Sequence, residues 1–214
     1  MSLQAFQQVI VELTLDPGRV QRMLQGDLSV LDRYELTERE RKRVLEAIRQ
    51  PGMALNCTIA RGNRFEAVAE LFPMTCTLLK PVLRDLLDEL WKDAPPTHYQ
   101  FAGEEEAFMG IVDRKIASGE LAIEYLDEIF AYESRCAELA QRMRNQTATD
   151  DGSEAIVEFR HPPDLLLLPL SQQTIPPSGL PTGVYRARLI LRGEQVDVEM
   201  LSATHDRPDA GRPN

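Results

Sequence analysis

No apolar run in the chain reaches the roughly 18 to 20 residues that a membrane-spanning helix needs, so no membrane-embedded helix is expected. The opening residues, MSLQAFQQVIVEL, lack the basic, apolar, then small-residue order of a signal peptide, which points to the cytoplasm. Cysteine is scarce: Cys57, Cys76 and Cys136 are odd in number, widely spaced and set among apolar residues. That usage suits buried free thiols rather than a disulfide framework or a zinc ribbon. Histidine is equally scarce. His98, His161 and His205 stand far apart, with none at i, i+4 spacing from a second ligand, so no self-contained metal site is expected. The signatures G-x-G-x-x-G, the P-loop and G-x-S-x-G are absent, and dinucleotide, nucleoside triphosphate and esterase chemistry lose their usual carriers.

What the chain does have is acid. Its 214 residues carry 34 Asp and Glu against 24 Lys and Arg, a net charge of −10. Such a chain repels phosphate backbones and anionic lipid surfaces at long range, so neither nucleic acid nor membrane is an expected partner. The run Glu104-Glu105-Glu106 invites a carboxylate-cluster reading, but acids at a helix start are favoured by the macrodipole, and that explains them.

Periodicity divides the chain in two, and the expected class is α+β. Residues 1–144 read as helices punctuated by Pro and Gly, and 145–153, NQTATDDGS, as a polar linker. Residues 154–204 read as a small antiparallel β-rich domain, and 205–214 as a disordered tail. In the helical part, Thr37 followed by Glu40 is a capping box. Phe65, Val68, Ala69 and Phe72 form a helical face that stops at Pro73. Paired apolar positions from Leu78 through Trp91 predict the strongest helix, ended by Pro95-Pro96. Two further helices are expected at about 104–118 and 122–144.

In the β part, Tyr185–Arg192 and Gln195–Met200 flank Gly193-Glu194, which fits a two-residue hairpin. With Arg192 opposite Gln195, the register sets Leu191 against Val196, Leu189 against Val198, Ala187 against Met200, and Arg188 against Glu199. Ala155, Val157 and Phe159 alternate as another strand. Leu165–Leu170, interrupted by Pro169, reads as an edge strand, giving four strands in all.

Two groups of arginines are candidate sites. Arg61 and Arg64 lie one helical turn apart and read either as a clasp for an anion or a partner's carboxylate, or as ordinary solvated side chains. Val184, Arg186, Arg188, Ile190 and Arg192 share one side of the hairpin, a basic and partly apolar face on which a peptide could be held as an added strand. A sheet packed wholly on the helices is the competing reading. Taken alone, the residues reach a two-part protein without an active site of its own.

One stretch adds to this. Arg64-Phe65-Glu-Ala-Val-Ala-Glu-Leu-Phe72-Pro73-Met-Thr75-Cys-Thr-Leu78-Leu79, then Pro95-Pro96, Phe101, a Gly-Glu-Glu-x-Phe segment and Tyr125-Leu126-x-x-Ile-x-x-x-Glu133, resembles the partner proteins of multinuclear non-haem iron-dependent oxidases. The resemblance covers about 60–140, and the order of helical then small β domain is also similar. It implies a heterodimer in which a separate iron enzyme modifies a cysteine of a ribosomally made precursor peptide. This chain, with no cofactor of its own, would bind that enzyme through 1–144 and the precursor's leader through 154–204.

Among such partners the chain is most similar to those of the 3-thiaglutamate type, and next to those of the methanobactin type. Phe72, Pro73, Thr75 and Leu79 match the family's helix-break motif in a structural or subunit-contact role. With Arg61 and Arg64, the first three make the expected partner interface. A shorter resemblance, Asp32-Arg-Tyr34-x-Leu36-Thr37-x-x-Glu40, is to the small helical subunit of two-subunit extradiol dioxygenases, another helper of an iron oxygenase. A nucleic-acid-binding regulator is the third reading, and the charge opposes it.

Overall fold

The computed structural model describes residues 3–93, 103–144, 154–192 and 195–201. The linker, the hairpin turn Gly193-Glu194, the Pro95-Pro96 loop with His98 and Phe101, and the tail with His205 lie outside the described residues. Helices precede a small antiparallel sheet, so the class is α+β. Two compact units are present. The first comprises residues 1–70 and 82–115, the second 71–81 and 116–214.

The first unit opens with α1 (Leu3–Leu15) and α2 (Pro17–Leu24), where Pro17 occupies a position that needs no amide and the Asp16 carboxylate accepts from Arg19 N at 3.1 Å. A 3-10 turn at Ser29–Leu31 leads to α3 (Glu38–Ile48). The capping box is formed: Thr37 Oγ1 accepts from Glu40 N, and the Glu40 carboxylate accepts from Thr37 N at 2.8 Å. Then come α4 (Pro51–Leu71), α6 (Leu83–Asp93) and α7 (Glu104–Ala117). Val9, Leu13, Val20, Met23, Leu31, Val44, Ile48, Met53 and Cys57 pack into one core, each removing a side chain from water at a gain of about 1.5 to 3 kcal/mol for the larger ones. Thr37→Ala removes one side of the box, and urea unfolding of that variant should show a loss of about 1 kcal/mol.

The second unit contains α5 (Pro73–Leu79), α8 (Leu126–Arg144), α9 (Pro163–Ser171) and the sheet. Its strands are β1 (Glu154–Phe159), β2 (Tyr185–Arg192) and β3 (Gln195–Leu201), in the order β1-β2-β3. The hairpin register is the one expected, from Arg192 opposite Gln195 to Ala187 opposite Met200. α8 lies against all three strands, and Val157, Phe159, Ala187 and Leu189 on that side are buried. The Tyr132 ring sits 6.0 Å from that of Phe159. Gly183 N donates to Arg160 O at 2.7 Å, extending the β1-β2 pairing, and a Cβ on Gly183 would stand 2.9 Å from the Tyr185 ring.

Four expectations are corrected. The helix drawn from Leu78 through Trp91 is two helices, α5 and α6, because Pro81 lacks an amide and disfavours helix at Lys80. Leu165–Leu170 is not an edge strand: Pro163 pre-sets the first turn of α9, four leucines favour helix, and Pro169 falls in the last turns, so three strands rather than four are found among the described residues. The compact units do not divide at 145–153, since α8, which covers the apolar side of the sheet, and α5, which packs on α8 and α9, fall in the same unit as the strands. Residues 1–144 are therefore not one separate helical bundle. No described helix is long and apolar enough to cross a membrane.

Candidate functional site

The sheet places its even-numbered β1 and β2 residues and odd-numbered β3 residues on the side away from the buried one. Arg186, Arg188 and Arg192 stand there with Ile156, Ile190 and Leu201. They are not a free basic patch. Glu158 holds Arg186 (Nε to Oε1, 2.9 Å) and Glu154 holds Arg188 (Nε to Oε2, 2.9 Å). Asp197 and Glu199 each approach Arg192 at 3.4 Å. Three arginines thus face four carboxylates, correcting the expected basic face to one of alternating charge around exposed aliphatic groups. Hydrogen bonding to Glu154 raises the Arg188 pKa further above its ordinary value. Val184 precedes β2 and is strongly exposed, and Ile190 on the central strand is half-buried.

β1 and β3 are the outer strands, so among the described residues each presents main-chain groups with no strand partner on its far side. Both edges are short, and their outward acids belong to the ion pairs just described.

The end of β1 is bolted to the start of α8. The buried Glu128 carboxylate accepts from Arg160 N at 2.6 Å and His161 N at 3.1 Å, and its other oxygen lies 2.6 Å from His161 Nδ1. The Arg160 guanidinium reaches Asp127 at 2.5 to 2.7 Å. His161 also meets the edge of the Tyr125 ring, centroids 4.9 Å apart. This is a structural clamp, and no group of three or more His, Cys, Asp or Glu among the described residues is placed to hold a metal ion.

The two halves of the motif behind the family resemblance meet in the second unit. Phe72 packs on Phe130, ring centroids 6.1 Å apart, and the Glu133 carboxylate accepts from Met74 N and Thr75 N, both at 2.8 Å. Glu133 thereby satisfies amides left over where Pro73 restarts the helix. Burial pushes its pKa up to about 7, against the pull of those hydrogen bonds. Burial also raises Cys76 to about 12 and Cys136 to about 11, so neither thiol is a nucleophile at neutral pH. Cys57 and Cys76 are buried and Cys136 is half-buried, all three free.

The expected partner interface is largely internal. Arg64 is among the most completely buried side chains, and its guanidinium grips Glu104, Nε to Oε1 at 2.6 Å and Nη2 to Oε2 at 3.1 Å. The carboxylate it clasps belongs to its own chain. Arg61 pairs with Asp88, and both guanidinium carbons lie over the Trp91 ring, at 5.3 Å for Arg61 and 5.2 Å for Arg64. Phe72 and Thr75 are buried in the second unit, leaving Pro73 exposed and Arg61 partly so. Sequence reasoning read Glu104 only as a helix-start acid and gave Glu133 no role of its own. The available signal for Glu133 was its position on the apolar stripe of Leu126, Ile129, Phe130 and Ala137, where an acid needs a partner.

No protein-family profile matches this chain, and no curated protein or solved structure does either.

Proposed function

We propose that this chain is the non-catalytic partner subunit of a multinuclear non-haem iron-dependent oxidase that modifies a cysteine of a ribosomally made peptide. The 3-thiaglutamate type of pathway is favoured over the methanobactin type. The chain binds the precursor's leader and presents it, and the iron resides in the partner enzyme. The observation that carries this reading is the small sheet: backed by α8 on its apolar side, it keeps two outer strands and an exposed face of paired charges around Ile156, Ile190 and Leu201. An extended peptide laid along such an edge gains main-chain hydrogen bonds, and its alternate side chains meet that face. The contact of Phe72-Pro73-x-Thr75 with Glu133 supports it further, because the two separated pieces of the resemblance form one local structure.

The test needs a short cysteine-ending precursor and an oxidase of this kind, to be sought among the genes neighbouring that of this chain. Arg186→Glu with Arg188→Glu sets four acids side by side where two ion pairs stood, and should weaken leader binding about tenfold with helix content unchanged by circular dichroism. Unchanged leader affinity would remove the sheet face from the site. Product should form only when both proteins are present, and near-equimolar iron in the isolated chain would contradict the assignment of the metal to its partner.

A further inference from the structure

A cleft of about 410 Å³ lies in the second unit, walled by Leu78 and Pro81 at the end of α5, Ile123 and Tyr125 ahead of α8, and Ile175 and Pro176 from the segment joining α9 to β2. That volume falls at the lower end of the roughly 300 to 1,000 Å³ typical of ligand sites, enough for one large side chain and its adjoining peptide units.

The walls are held in advance of any ligand. The Tyr125 hydroxyl donates to Pro177 O at 2.8 Å and accepts from Leu180 N at 3.2 Å, and Gly179 N donates to the Glu124 carboxylate at 3.1 Å. Pro81, Pro176 and Pro177 stiffen both sides. Tyr125 adopts a left-handed backbone at φ 67°, a conformation rare for a bulky residue and kept only where the surroundings impose it. A cleft ordered this way loses little entropy on binding.

Its rim carries one charge of each sign, Glu124 and Lys80. Glu124 is committed to the Gly179 amide, whereas the Lys80 ammonium pairs with no carboxylate among the described residues of a chain whose net charge is −10. Ile175 beside it is left 57% exposed. The segment 172–184 runs from this wall directly into β2, and Tyr125 in the opposite wall meets the His161 ring just past the end of β1.

We propose that this cleft anchors one large apolar side chain of the extended precursor peptide, with an acidic neighbour of that side chain held by Lys80. The proposal rests on the peptide-binding reading above and gives it a sequence preference.

The probes are three blocked tetrapeptides whose central pairs are leucine-glutamate, leucine-lysine and serine-glutamate, titrated into the full chain while the methyl NMR signals of Leu78, Ile123 and Ile175 are followed. The leucine-glutamate peptide should shift those methyls and bind roughly two- to fivefold more tightly than leucine-lysine, the difference a solvent-exposed ion pair supplies. Serine-glutamate should not bind. Lys80→Glu should invert the order of the two leucine peptides, and Ile175→Asp should abolish both. Both residues are exposed, so these variants should fold as the parent does. Equal affinity for the two leucine peptides, or shifts that miss these methyls, would overturn the proposal. Binding of the whole precursor, measured in parallel, separates the two readings. If the cleft variants leave precursor affinity intact while the Arg186 and Arg188 variant lowers it, the anchor assignment fails and the sheet reading stands. If the precursor does not bind the parent chain at all, the function reading fails and the anchor assignment falls with it.

Discussion

Glu104→Gln is expected to lower the unfolding free energy of the first unit by about 3 to 5 kcal/mol, the range for breaking a buried ion pair from one side. The Arg64 side chain is only 2% exposed and Glu104 5%, and the pair is held by two charge-assisted hydrogen bonds. Removing the carboxylate charge takes away the counter-charge that holds this buried guanidinium through two hydrogen bonds, and burial already pulls the Arg64 pKa below its ordinary value. The neighbouring Arg61–Asp88 pair supplies the control. Those side chains are 35% and 41% exposed, so Asp88→Asn should cost under about 1 kcal/mol.

A third variant checks the mechanism. Replacing both Arg64 and Glu104 by leucine removes the uncompensated charge along with the pair and should cost less than Glu104→Gln alone. Trp91 is the only tryptophan in the chain and lies against both arginines, so its fluorescence during urea unfolding reports on this unit directly. If Glu104→Gln and Asp88→Asn cost the same, the Arg64 site is hydrated and the account is wrong.

Local periodicity accounts for what could be read without coordinates. Strands of period two with only Gly-Glu between them in sequence admit few registers, and the one that sets Leu189 against Val198 and Leu191 against Val196 is the register found. The Thr37 cap and the break at Pro73 are likewise settled by groups within four residues of each other. Where composition suits two kinds of element, a single flanking residue can decide. Leu165–Leu170 has a composition that suits a buried strand as well as a helix, and Pro163 tips it toward helix.

The candidate site was less legible because charge pairing is long-range. Nothing near Arg64 announces that its carboxylate stands 40 residues on, and nothing near Arg186 or Arg188 shows that β1 will return Glu158 and Glu154 to them. The assignment of α5 and α8 to the unit of the sheet has the same origin, in contacts such as Glu133 with Thr75 and Glu128 with His161 that join distant parts of the chain.

Glu133 makes the second large prediction, one of pH dependence. Burial raises its pKa in the native protein to about 7 from a value near 4.5 in the unfolded chain. Between those two values the native state holds a proton that the unfolded state has released, so stability falls as pH rises. The contribution is complete below about pH 4.5 and gone once pH passes 7. At about 1.4 kcal/mol per unit, the window spans roughly 3 kcal/mol. Glu133→Gln keeps one of the two acceptor oxygens that Met74 N and Thr75 N use, at a pH-independent cost for the other, and has nothing to ionise, so its stability relative to the parent should rise by that amount between pH 4.5 and 7.5. Cys76, Tyr132 and Cys136, which face the same carboxylate, all have pKa values raised by burial and stay neutral across this range, leaving Glu133 to carry the slope. Urea unfolding of parent and variant at half-unit steps measures it, and carboxyl carbon NMR locates the midpoint. A midpoint near 4.5 would mean that water reaches Glu133. A midpoint near 7 would make the start of α5, whose far end carries Leu78 and Pro81 into the cleft, sensitive to pH in the neutral range.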